Sequence, residues 1–181
     1  MAAFATPTEL AGFLQQDLDT YSASQALDVA SQAIRDHCGW SITQETGVVE
    51  TLDGDCSRSL WLKTKLLTAV TAVTEEGVAV AATTGFEWTD AGQLIRIGRS
   101  WSWRPRSIVV TYTHGYATVP DSVKGVCLSV AARGYSNPDG IKQETVGAVS
   151  VTYNTPLYTT GVYLTDQERA DLGKYQLSLV A

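Results

Sequence analysis

Two histidines, three cysteines and one run rich in Arg and Trp are the residues of this 181-residue chain with the most to offer to chemistry. His37 lies near the end of a helical pattern, and His114 in the strand-to-turn segment Thr111-Tyr112-Thr113-His114-Gly115-Tyr116. Neither belongs to an HExxH, an HxE or a Cys/His spacing suited to a metal. Cys38, Cys56 and Cys127 are odd in number and form no CxxC pair, which argues against a disulfide framework and a structural zinc site. Cys38 and Cys127 fall on apolar helical stripes, where a thiol is buried and inert.

No Gly-x-Ser-x-Gly elbow, Walker A or dinucleotide glycine pattern occurs. Asp53-Gly54-Asp55 lacks the alternating acids and closing Glu of a calcium loop and reads as a hairpin turn. No cofactor and no metal are expected. A hydrolase with an unrecognised site would have to gather His114, Asp121 or Glu144.

The run Arg96–Arg106 holds Arg99, Trp101, Trp103 and Arg104, and three uses stay open for it. Arginine stems can lie over indole faces at a hairpin end. Trp and Arg also anchor protein interfaces, and basic side chains beside stacking rings serve single-stranded nucleic acid.

The elements that must position these groups sit in an ordinary globular composition, 44% apolar and 18% charged. The net charge is −6, unevenly placed: residues 1–60 hold nine of the nineteen acids and only Arg35 and Arg58 as bases. Such a balance argues against tight sequence-independent gripping of nucleic acid, which depends on Lys and Arg releasing counterions. Arg35 is the first basic residue, and no apolar run approaches the roughly 18 residues of a membrane span, so neither a signal peptide nor a membrane partner is expected.

Thr6-Pro7-Thr8-Glu9 has the capping-box pattern and opens a helix over Pro7–Leu14. Ser22 and Gln25 repeat the pattern before a helix over Ser22–Cys38, whose inward stripe is Ala-rich and whose other face carries Asp28 and Asp36. From Thr46 the period changes to 2, with short runs at Val78–Ala82, Phe86–Trp88, Gln93–Ile97 and Ser107–Thr113. Pro120 and Asp121 open a third helix, Glu144–Tyr153 has strand composition, and Thr165 caps a last helix, Asp166–Gly173. Tyr175–Leu179 alternates like a strand. The expected fold is α+β: one domain over 1–181, with a small helical bundle from 1–45 and 114–181 and an antiparallel β subdomain inserted at 46–113.

The order of segments, more than any motif, resembles a known family. Phe4-Ala5-Thr6-Pro7-Thr8-Glu9-Leu10 leads to an acidic helix ending His37-Cys38-Gly39-Trp40. After a β region, Val109–Tyr116 runs into Val119-Pro120-Asp121-Ser122-Val123-Lys124, and Glu144–Tyr153 and Leu164–Leu172 follow. This pattern is similar to the head-to-tail connector (adaptor, or head-completion) proteins of long-tailed double-stranded DNA phages, particularly those of actinobacterial hosts.

The resemblance implies a non-enzymatic virion protein of the neck, assembled in the host cytoplasm. It would form a twelve-fold ring beneath the portal and meet the portal protein, the next neck or tail-completion protein and itself. Double-stranded DNA would pass through without sequence-specific binding. On that view Tyr175, Leu177 and Leu179 are candidates for docking on the portal or a neighbour. Glu144, Val146, Val149, Val151 and Tyr153 are candidates for an arm reaching the adjacent subunit, with a hairpin within one subunit as the equally open form of this segment. Asp28 and Asp36 are candidates for a negative wall facing the DNA, and Arg99, Trp101, Trp103 and Arg104 for a basic, aromatic interface. A nucleic-acid-binding protein or another tail or neck completion protein is the alternative reading.

Overall fold

Thr6 caps the first helix in both directions: its hydroxyl accepts the Glu9 N–H at 3.3 Å and the Glu9 carboxylate accepts the Thr6 N–H at 2.8 Å. The computed structural model to which these distances belong describes residues 2–136, 143–146, 149–152 and 162–177, with the backbone alone at 143–146 and 149–152. The elements in chain order are α1 (Pro7–Leu14), α2 (Thr20–Cys38), β1 (Glu45–Leu52), β2 (Ser59–Trp61), β3 (Leu67–Glu75), β4 (Val78–Ala79) and β5 (Phe86–Trp88). There follow β6 (Gln93–Arg96), β7 (Ile108–His114), α3 (Asp121–Ser136), β8 (Gln143–Val146), β9 (Val149–Thr152), α4 (Asp166–Leu172) and a 3-10 turn, Gly173–Tyr175. With antiparallel sheets beside four helices, the fold is α+β.

The chain divides into two compact units, 1–38 with 119–174 and 39–118 with 175–181. In the helical unit α2 packs along α3. Ala23, Ala26, Leu27, Ala30, Ile34 and Cys38 meet Val123, Val126, Cys127, Val130 and Ala131, all buried, and the small side chains allow a close approach. α2 starts two residues before the expected Ser22, because the Asp19 carboxylate accepts the Ser22 N–H at 2.8 Å and caps the helix instead. The Asp19 N–H in turn donates to the Tyr135 hydroxyl at 3.2 Å, tying the start of α2 to the end of α3.

β8 and β9 pair antiparallel, Gln143 opposite Thr152 and Val146 opposite Val149. Glu144, Val146, Val149 and Val151 thus take the within-chain pairing, one of the two forms open to this segment. Tyr153 lies outside the described residues.

The sheet unit holds a four-stranded antiparallel sheet, β1-β7-β3-β4, and a three-stranded one, β2-β6-β5. Leu60, Phe86 and Leu94 of the small sheet share one buried core with Val73, Ile108, Val110 and Tyr112 of the large one. β7 shows the alternation that its sequence demands: Ile108, Val110, Tyr112 and His114 point inward and are buried. The strand expected over Val78–Ala82 is shorter, Val78–Ala79. Tyr175 does not begin a strand either; it closes the 3-10 turn after α4.

Candidate functional site

The Arg- and Trp-rich run is organised by a residue that sequence reasoning passed over, Glu75 at the end of β3. Its side chain is 6% exposed. Oε2 accepts from Arg96 Nε and Nη2 at 3.3 and 3.1 Å and from Arg99 Nη2, while Oε1 accepts the Ser102 N–H at 2.8 Å. Arg96 also donates to the Gly85 carbonyl and lies 5.2 Å from the Trp101 ring centroid. One carboxylate so pins three separate points of the loop that follows β6.

Neighbouring acids extend the hold. Glu76 accepts the Ser102 hydroxyl at 2.6 Å and stands 3.8 Å from Arg104 Nε, and Asp53 accepts the Arg106 N–H at 2.7 Å. Gly54 donates its N–H to the Arg104 carbonyl at 3.0 Å, so close that a Cβ there would fall 1.9 Å from the Ser102 carbonyl oxygen. Of the expected interface residues, Trp101 is buried in the core at 2% exposure, whereas Trp103 (69%), Arg99 (63%) and Arg104 (61%) face outward. Trp101 is therefore corrected from an interface residue to a core residue, and the Arg96–Trp101 stacking is the structural use foreseen for such a run.

Asp28 and Asp36 are exposed on α2, with Gln32 donating to Asp36 Oδ1 at 2.7 Å. The same stripe carries exposed Tyr21 and Val29. Tyr175 is buried at 8%, edge-on to the Tyr116 ring, and its carbonyl accepts from Trp40 Nε1 at 2.6 Å. Its side chain is taken up inside the sheet unit, and of the other expected docking residues the described one, Leu177, is half-buried. Leu179 lies outside the described residues.

Of the residues a hydrolase would need, His114 is engaged in packing. His114 is buried between the rings of Trp40 and Tyr112. Burial pushes its proton affinity down against the opposing pull of Glu45 and Glu50, so it is neutral at pH 7. Burial, and then the bond to Glu50 at 2.7 Å, pushes the Tyr112 phenol well above its ordinary range. Asp121 belongs to the other unit, and the Glu144 side chain is not among those described.

Cys38 and Cys127 are buried, and burial raises the Cys127 thiol despite its contact with Ser31 Oγ at 3.4 Å. Among the described residues no group of His, Cys, Asp and Glu could hold a metal ion, and no helix is long and apolar enough to cross a membrane. A groove of about 650 Å³ in the helical unit is lined by Phe13, Gly125, Val126 and Ser129. Two carboxylates also line it: Glu168, clamped by Arg133 at 2.9 and 2.8 Å, and Asp171, which accepts from Gln167 Nε2 at 3.1 Å.

No protein-family model and no curated protein matches the chain. Solved structures do. A chain in the neck of an empty GTA (gene transfer agent) particle, computed with C6 symmetry, is 13% identical with a TM-score of 0.67; the match covers 100% of this chain and 95% of that one. A chain in the neck of a native GTA particle, computed with C12 symmetry, is 16% identical with a TM-score of 0.60 and the same coverage. The α+β fold is therefore shared, over its full length, with chains of phage-like neck structures.

Proposed function

We propose that this chain is a structural neck protein of a phage-like particle, a ring component that joins the DNA-filled head to the tail and carries out no catalysis. The observation that carries the reading is the full-length fold match to GTA neck chains, in structures computed with C6 and C12 symmetry. The order of segments from Phe4 to Leu172 supports the same reading from a different direction. The actinobacterial part of that resemblance rests on the sequence pattern alone.

In the finer reading the ring is twelve-fold, sits beneath the portal in the virion and surrounds the passing DNA, with a second neck or tail-completion protein on its far side. The acidic balance of the chain favours DNA sliding past over DNA held. A closed ring is built from heterologous contacts, so each copy must offer two different complementary surfaces. The β8–β9 hairpin, with Glu144, Val146, Val149 and Val151, is one candidate for such a surface, and the tail through Leu177 and Leu179 is another for the portal or a neighbour.

Electron microscopy of a lysate made with a nonsense mutation in this gene tests the proposal. Full or leaking heads beside detached tails are expected. Normal complete particles would overturn it.

A further inference from the structure

We infer that the loop Gly98–Arg106 is a pre-formed protein-docking patch whose anchor is Trp103, and that its partner is the acidic outer face of α2 on a second copy of this chain. The inference rests on the ring reading above and assigns that ring one of its contacts.

The loop has the anatomy of an interface centre. Trp103 is 69% exposed, yet the backbone on both sides of it is fixed: the Ser102 N–H is on Glu75, the Arg104 carbonyl on Gly54 and the Arg106 N–H on Asp53. A large ring held outward on an ordered backbone has already lost most of the entropy that binding would cost. Val78, 70% exposed, lies just beyond the Glu76-Gly77 turn to which Ser102 and Arg104 are tied. Arg99, Arg104 and Arg106 of the same loop are exposed, and the Arg104 guanidinium lies 6.0 Å from the Trp103 ring centroid.

The rings favour protein over nucleic acid: a single-stranded site stacks successive bases on several rings, whereas of the two rings in this loop Trp101 is buried and Trp103 alone is exposed.

The outer face of α2 is the complement. Tyr21, Gln25, Asp28, Val29, Gln32 and Asp36 form one exposed stripe opposite the buried one. The basic side chain of that helix nearest this stripe, Arg35, is buried against Phe4 instead. Two carboxylates flanking Val29, which is 50% exposed, offer what a tryptophan beside arginines requires. A wall past which DNA merely slides has no use for exposed Tyr21 and Val29.

The test is charge-swap complementation with the full chain. One variant carries Arg104→Glu and Arg106→Glu, the other Asp28→Arg and Asp36→Arg, and association is measured by sedimentation up to several hundred micromolar. Wild type should self-associate, each variant alone should not, and an equimolar mixture should associate again, since every loop then meets a face of opposite sign. Trp103→Ala, which removes an exposed side chain and so leaves the fold intact, should weaken self-association at least about tenfold.

A wild-type chain monomeric throughout the range overturns the inference, as do variants that self-associate like wild type or a mixture that stays monomeric. So does a Trp103→Ala chain that loses retention on single-stranded DNA while associating normally. If Asp28→Lys with Asp36→Lys slows genome ejection without changing association, α2 lines the DNA channel and the inference falls. Any of these failures leaves the head-and-tail phenotype untouched, so the two readings fail separately.

Discussion

Each unit contains one carboxylate that gathers a loop, Glu75 in the sheet unit and Glu168 in the helical unit, and the two differ in where their partners come from. Glu168 takes the N–H and hydroxyl of Thr165, three residues before it, at 2.8 and 2.9 Å, and adds a bidentate clamp from Arg133. Glu75 takes nothing local: its ligands Arg96, Arg99 and Ser102 lie 21, 24 and 27 residues further on. A capping box will form wherever a helix starts, and the tertiary fold then reinforces it. The Glu75 node exists only once both sheets have met, and it is the buried hold on the Gly98–Arg106 loop, with Glu76, Gly54 and Asp53 adding bonds nearer the surface.

The largest effect should therefore come from Glu75→Ala. It leaves the Arg96 guanidinium, about as buried as Glu75 itself, without its counter-charge, and removing one member of a buried pair costs about 3–5 kcal/mol. Urea unfolding measures the loss, and red-shifted tryptophan emission should report Trp101 losing the cover of Arg96. A cost below about 1 kcal/mol would mean that the loop is held by its packing and that the contrast between the two nodes is mistaken.

Glu168→Ala should cost less, about 2 kcal/mol, because it removes one cap and one charge-assisted pair while Arg133 keeps its bond to the Tyr163 carbonyl. Thr165→Ala, which breaks only the cap, should cost about 1 kcal/mol. Measured in the same urea titration, the difference between these variants isolates what Arg133 adds. Equal losses would show that the clamp contributes nothing beyond the capping box.

The same contrast explains what could be read from the residues. α1 is found at Pro7–Leu14 and β5 at Phe86–Trp88, as periodicity and capping residues place them, because those signals are local. α4 follows Thr165 for the same reason, ending one residue earlier than expected where a 3-10 turn takes over. The start of α2 was misplaced because Asp19 and Ser22 both offer cap chemistry, and Tyr135, on a distant helix, favours Asp19.

Within the Arg- and Trp-rich run, the alternation of Trp and Arg does not reveal which indole turns inward. That is decided by Glu75, whose only visible signal is a charged residue ending an otherwise uncharged strand, Leu67–Glu75. Tyr175 shows the same limit: its alternation with Leu177 and Leu179 reads as a strand, and contact with Tyr116 and Trp40 makes it a core residue.

The smallest effects should appear on acidification, and they should separate the two units. In the sheet unit His114 is buried and neutral, with its proton affinity below the free value of 6.5. The unfolded chain takes up that proton first, so the sheet unit should begin to lose stability as the pH falls below about 6.5. In the helical unit the Lys124 hydrogen bond, at 2.8 Å, and the Thr6 N–H and hydroxyl hold the Glu9 carboxyl at about 2 against an ordinary 4.5. Burial tends to raise Glu168, but the donors from Arg133 and Thr165 outweigh it and its carboxyl is also lowered. Both contributions are complete above the unfolded value of 4.5 and fade only below it, that of Glu9 as the pH falls toward about 2. Between pH 6.5 and 4.5 amide protection, corrected for the intrinsic exchange rate at each pH, should thus fall in β7 before it does in α1 and α4. Glu9→Gln should flatten the helical unit's response below pH 4.5, and added salt should mimic much of that change because the Glu9–Lys124 pair is over a third exposed on the carboxylate side. Simultaneous loss of protection in both units would show that they unfold as one, and that the difference between their carboxylate nodes lies in construction and not in independent stability.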